Sequence, residues 1–99
     1  MKGKVIRIED GINQGVEYGT GYHLDNSYNH WVSVTVKDKQ GKEYNVDVTS
    51  NVYNYLKCKK LSSKMIAKIS DGLREVTINF YYNQMENMYF LDGDLSDYM

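Results

Sequence analysis

Two stretches of this chain read as β-hairpins in which turn chemistry and apolar alternation demand the same pairing, and no other feature narrows the fold as much. Between Trp31 and Thr49, Val32, Val34 and Val36 share one parity and Tyr44, Val46 and Val48 another, with Lys39-Gln40-Gly41 between them. A three-residue loop closing on a left-handed glycine sets Val36 opposite Tyr44, Val34 opposite Val46 and Val32 opposite Val48, which makes one face wholly apolar. The outer face then opposes Lys37 to Glu43, a charge pair that the apolar pattern did not require. The second predicted hairpin turns at Asp71-Gly72 and pairs Ala67 with Val76, Met65 with Ile78 and Lys68 with Glu75. A helix from a Ser62 or Ser63 cap through Met65, Ile66 and Ile69 to a stop at Gly72 fits the same letters at i, i+3, i+4 spacing. Register agreement favours the hairpin.

The remaining elements follow from shorter signals. Residues 4–9 read as a strand with Ile6 and Ile8 on one face. Gly11, Gly15, Gly19 and Gly21 make the next stretch too glycine-rich for a helix but compatible with a bent or bulged strand over residues 16–24, followed by a turn-forming loop at 25–29. Thr49 or Ser50 caps a short helix over about 51–57. After the second hairpin, residues 83–87 turn the chain into a last strand at 88–91. Parity directs Tyr44 and Tyr82 inward. The expected organisation is one domain over 1–91 and a short acidic tail over 92–99.

The expected fold class is therefore mainly β with one short helix: a five-to-six-stranded antiparallel small barrel. The order of elements between Lys4 and Tyr82 resembles the oligonucleotide/oligosaccharide-binding (OB) fold, a Greek-key barrel with its helix between the third and fourth strands. An SH3-like barrel, or a curved sheet with a helix at 62–72, fits nearly as well. The OB resemblance implies a binding face over strands two and three, here Trp31, Ser33, Thr35, Asn45 and Asp47, flanked by residues 15–29. If the strand at 88–91 fails to close the barrel, the open edge invites a homodimer.

Ninety-nine residues suffice for one core and exclude two domains. No apolar run is long enough to span a bilayer and the N-terminus has no signal-peptide segment, so a cytoplasmic protein with no membrane contact is expected. The single cysteine, Cys58, suits a reducing compartment and cannot form an internal disulfide. Abundant Lys, Asn, Tyr and Ile, with no proline, resemble the composition of small phage or mobile-element proteins of AT-rich bacteria.

Motifs for catalysis and cofactors fail in turn. His23 and His30 lack metal-site spacing, so no metal is expected. Gly19-Thr20-Gly21 has no third glycine at the offset of a dinucleotide loop and no P-loop lysine follows it. Cys58 has no visible activating partner, and Glu9-Asp10 alone does not make a carboxylate pair for acid–base work. The expectation is a non-enzyme without cofactors.

What stands out is aromatic and charge placement. Tyr18, Tyr22, Tyr28 and Trp31 gather around the glycine-rich stretch, and tyrosine gives a large flat contact at low entropic cost. These four residues are the candidate partner-binding set of a non-catalytic protein-binding module that docks on a larger host protein or complex; its sharpest form is a phage-encoded inhibitor of a nucleic-acid-processing or defence complex. The alternative is a single-stranded nucleic-acid binder. There Trp31, Tyr53 and Tyr55 stack bases while Lys57, Lys59, Lys60, Lys64 and Lys68 neutralise phosphates. Net charge of −1 weighs against that alternative unless charge is segregated. Asp92, Asp94 and Asp97, with the apolar residues that end the chain, faintly resemble the partner-recruiting tails of bacterial single-strand-binding proteins.

Overall fold

A computed structural model describes residues 1–12 and 30–99. The strand expected at 16–24, the loop at 25–29, His23, the Gly19-Thr20-Gly21 stretch and Tyr18, Tyr22 and Tyr28 lie outside the described residues. Five strands, β1 (Lys2–Ile12), β2 (His30–Lys37), β3 (Glu43–Asp47), β4 (Thr77–Asn83) and β5 (Met88–Leu91), close into a barrel in the order β1-β2-β3-β5-β4. Two helices, α1 (Thr49–Leu56) and α2 (Ser63–Leu73), connect β3 to β4, and a 3-10 turn at Leu95–Asp97 follows β5. The barrel is mixed rather than purely antiparallel, because β5 runs parallel to β3 and antiparallel to β4. That topology is consistent with an OB-like fold. The edge that β5 was free to leave open is filled: it pairs on both sides.

The first hairpin forms in the expected register, with Val36 opposite Tyr44, Val34 opposite Val46 and Lys37 opposite Glu43. Gly41 adopts φ 86°, the left-handed geometry that lets the three-residue loop follow the strand twist without a Cβ penalty. Val32, Val34, Val36, Val46 and Val48 are fully buried. Burial of a valine side chain contributes about 1.5 kcal/mol, so the five together supply a substantial share of the core's stability. Ile66, Ile69, Leu73, Ile78, Phe80 and Leu91 complete the core from the other side.

Thr49 does not cap α1. The ladder of the hairpin runs out at Val32, whose carbonyl still accepts from the Val48 N–H at 3.0 Å, while the Val48 carbonyl has turned away to accept from Val52 in the first turn of α1. The Thr49 hydroxyl takes its place, accepting the Val32 N–H at 2.9 Å and donating to the Val32 carbonyl at 3.1 Å. A side chain thus completes the last rung of the sheet.

The second hairpin does not form; residues 63–73 are helical. Ser62 caps α2 by accepting the Met65 N–H, and Ile66, Ile69 and Leu73 form the buried stripe that a hairpin would have split between two faces. Gly72 lies in the last turn of that helix, with the end of the Met99 side chain in the space a Cβ would take, and no hairpin turns there. Lys68 and Glu75 do not face each other. Glu75 sits at φ 60° between α2 and β4, within 3.9 Å of Lys4. The helix displaces only the expected hairpin, since β4 finds β1 and β5 as its neighbours instead.

Two inward assignments also change. A bulge between Val5 and Arg7 puts Val5 and Ile8 toward the core and leaves Ile6 exposed. Tyr82 has the parity of buried Phe80 but stands at the barrel mouth, where its ring is 44% exposed. Tyr44 is half-buried, as its parity implied. Residues 92–99 fold back onto the barrel: Leu95 is buried, the Tyr98 hydroxyl donates to the Asp92 carbonyl and accepts from the Asn79 N–H, and Asp92, Asp94 and Asp97 remain exposed.

Candidate functional site

On the outer face of β2 and β3, Trp31 lies opposite Gly11 of β1, and a Cβ on that glycine would meet the indole Cζ2 at 2.6 Å. The indole therefore lies over a strand position that has no side chain. Ser33, Thr35, Asn45 and Asp47 continue the face, with Ser33 opposite Asp47 and Thr35 opposite Asn45. Their polar groups are already engaged. Arg7 donates to the Thr35 hydroxyl, which donates to Asn45 Oδ1 at 2.9 Å, and the guanidinium lies within 3.8 Å of Glu9 and 3.9 Å of Glu43. Asp47 accepts the Thr49 N–H, and His30 Nε2 lies 2.7 Å from Asp10. Such a face has its one arginine paired and an excess of carboxylates.

The strands beside it add what the sequence reading missed. Phe90 of β5 neighbours Asp47, and Tyr81 of β4 neighbours Phe90, their ring centroids 6.2 Å apart. Alternation with buried Phe80 and Leu91 turns both outward, a period-two signal present in the letters once β4 is placed. At the barrel mouth the aromatic column continues from the core into solvent: Phe80 to Tyr44 at 5.1 Å, Tyr44 to Tyr89 at 5.2 Å, Tyr89 to Tyr82 at 5.1 Å. Tyr82 is steadied by a hydrogen bond to Asn87. Tyr81 is 45% and Met85 94% exposed, and Met88 is exposed beside them. The β4–β5 hairpin thus presents an apolar, aromatic edge. From residue 77 to 99 the sequence carries Glu86, Asp92, Asp94 and Asp97 and no Lys or Arg.

Behind this column, Asp38 organises the β2–β3 turn. One carboxylate oxygen accepts the Gln40 and Lys42 N–H groups at 2.9 Å and the other accepts the Tyr44 hydroxyl at 3.1 Å. The Lys42 backbone bond, helped by the tyrosine hydroxyl, holds the Asp38 carboxyl below its ordinary range, while burial and the Asp38 bond push the Tyr44 phenol up.

The residues proposed for base stacking and phosphate contact do not converge. Tyr53 is buried with its hydroxyl donating to the His30 carbonyl, so its ring has no free face. The spacing of Thr49, Val52, Tyr53 and Leu56 on α1 already marked it as an inner-stripe residue. Tyr55 is partly exposed beside a crevice of about 330 Å³ between α1 and the 3-10 turn, with Lys57, Asp94 and Leu95. Lys57 is the left-handed cap of α1, Lys59 and Lys60 lie in the connection, and Lys64 and Lys68 are one turn apart on α2; all five are exposed. Cys58 is free and half-buried. Among the described residues no three His, Cys, Asp or Glu side chains gather as a metal site, and no helix is long and apolar enough to cross a membrane.

The fold and surface together define a small closed barrel of OB-like form whose best-marked outer feature is an aromatic hairpin. No protein-family model, curated protein or solved structure matches this chain.

Proposed function

We propose that this protein is a non-catalytic protein-binding module whose β4–β5 hairpin, with Tyr81, Tyr82, Met85, Met88 and Phe90, docks into an apolar pocket of a larger protein. The observation that carries the reading is the company these side chains keep. Exposed aromatics that stack on nucleic-acid bases need cations close by to neutralise phosphates, whereas this hairpin has only carboxylates near it in sequence. Aromatic and methionine side chains on a segment, residues 77–99, whose charged side chains are all acidic suit an apolar pocket edged with Lys and Arg. Trp31, Tyr18, Tyr22 and Tyr28 extend the candidate contact set through the segment before β2.

The sharper form is an inhibitor, encoded by a phage or mobile element, that occupies the cationic groove of a host nucleic-acid-processing or defence complex. Small size, the AT-rich-codon composition and the acidic sequence of residues 77–99 support it. Purified protein added to a lysate of the host cell should elute with one large partner in size-exclusion chromatography, and added salt should weaken the complex. Tyr81→Ser with Met88→Ser should weaken it by at least about 30-fold, the scale of a lost interface anchor, with little change in melting temperature. A complex indifferent to both the substitutions and salt would remove the hairpin from the interface.

A further inference from the structure

On the side of the barrel formed by the first half of β1, the lysines are placed in a way that the protein-docking hairpin does not explain. Lys4 of β1 stands directly opposite Lys37 of β2 in the sheet register. Like charges at directly opposed sheet positions oppose folding, so the pair weakens the strand contact it sits on. Lys37 has Glu43 on its other side, but the Glu43 carboxylate lies against Arg7. Lys2, two residues before Lys4 on the same face, and Lys39 in the adjoining turn border the same recess, of about 370 Å³.

Four lysines thus border one recess whose single lining carboxylate, Asp38, has both oxygens committed to the Gln40 and Lys42 N–H groups and the Tyr44 hydroxyl. Lys2, Lys37 and Lys39 have no ion-pair partner among the described residues, and Lys4 has Glu75 at 3.9 Å, the same separation as Arg7 from Glu43. The floor is apolar: the bulge in β1 turns Ile6 outward, 42% exposed, beside Gly3. A second recess of about 500 Å³ shares Lys4 and Ile6, but there Glu75 joins the lining and Arg7 and Arg74 are held by Glu9, Glu43 and Asp71, so the unpaired cations are confined to the first recess.

We infer that the first recess binds the phosphodiester backbone of a nucleic-acid strand, with sugar or base edges resting on Ile6 and successive phosphates on Lys2, Lys4, Lys37 and Lys39. A chain of phosphates removes the repulsion that the Lys4–Lys37 opposition imposes on the free protein. The recess holds no aromatic ring, so recognition is of backbone charge and carries no sequence preference. The site does not include the lysines at 57–68, and it meets the outer face of β2 only at its last residue, Lys37. A molecule with a protein-docking edge and a backbone-binding track would hold its partner and a nucleic acid at once.

The test is fluorescence anisotropy of a labelled oligonucleotide, single-stranded and duplex, between about 50 and 200 mM salt. Four phosphate contacts predict a log–log salt slope of about −3 on a single strand and somewhat steeper on duplex. Lys4→Gln with Lys37→Gln should roughly halve that slope and weaken binding about tenfold at low salt, while leaving the melting temperature equal or higher because the opposed charges are gone. Lys64→Gln with Lys68→Gln should change neither. Salt-independent or absent binding by the unaltered protein would overturn the inference, as would equal loss in both double variants. Binding to vesicles of anionic phospholipid without binding to either oligonucleotide would overturn it in favour of a lipid surface.

Discussion

Replacing Thr49 by valine isolates the side-chain rung at the end of the β2–β3 ladder. The change is nearly isosteric, so it opens no cavity, but it removes the acceptor for the Val32 N–H. Val32 is fully buried and Thr49 is 7% exposed, so water does not reach the orphaned donor. The Val32 carbonyl keeps the Val48 N–H as its partner at 3.0 Å, and the Val48 carbonyl is held by Val52 at 2.9 Å, so neither strand nor helix can supply a replacement. An unsatisfied buried donor costs about 1–3 kcal/mol. At about 2 kcal/mol the melting temperature of a domain this size falls by roughly 8–16 °C. Thr49→Ser keeps both hydrogen bonds and deletes one buried methyl, worth about 1 kcal/mol, or roughly 4–8 °C. Thermal unfolding followed by far-ultraviolet circular dichroism, with urea titration for the free energies, orders the three proteins. A valine variant as stable as the serine variant would refute the reasoning, because the hydroxyl would then not be completing the sheet.

Two further outcomes follow from the turn and the indole. The folded-state pKa of Asp38 lies below the ordinary value of 3.8, so its ionised form adds stability at pH above the unfolded value, and that stability drains away as acid titrates through the folded value. The melting-temperature advantage over Asp38→Asn should be constant above about pH 5 and shrink below about pH 4; a gap unchanged down to about pH 2 would contradict this. Gly11→Val should lift the indole off β1, shifting the emission of the chain's one tryptophan to the red and exposing it to iodide quenching, and an unmoved spectrum would show that Trp31 does not rest there.

How far the letters reached depended on whether the deciding contact was local. Val36, Gly41 and Tyr44 lie within one hairpin, so turn and alternation sufficed. Residues 63–73 fitted the helix spacing as well, but register agreement pointed to the hairpin; the helix prevails because it puts Ile66, Ile69 and Leu73 on one stripe against the core, a contact with distant parts of the chain. Ile6 was misplaced because a bulge shifts parity by one and leaves no mark in the composition. For the candidate surface, parity reported which side of a strand a residue takes but not its depth. Tyr82 therefore looked buried when it only shares a side with Phe80, and Tyr81 and Phe90 went unnoticed until β4 and β5 were neighbours.

The parallel contact between β3 and β5 rests on two register pairs, Val46 with Tyr89 and Asp47 with Phe90. Until β5 has been made, β3 and β4 each keep a bare side, since among the described residues no earlier strand pairs with them there. The ring therefore locks late, through partners far apart in sequence, which makes closure a slow and cooperative event. The stave that locks it is also the one that displays Phe90 and supports Tyr81. A half-finished molecule has no such aromatic edge.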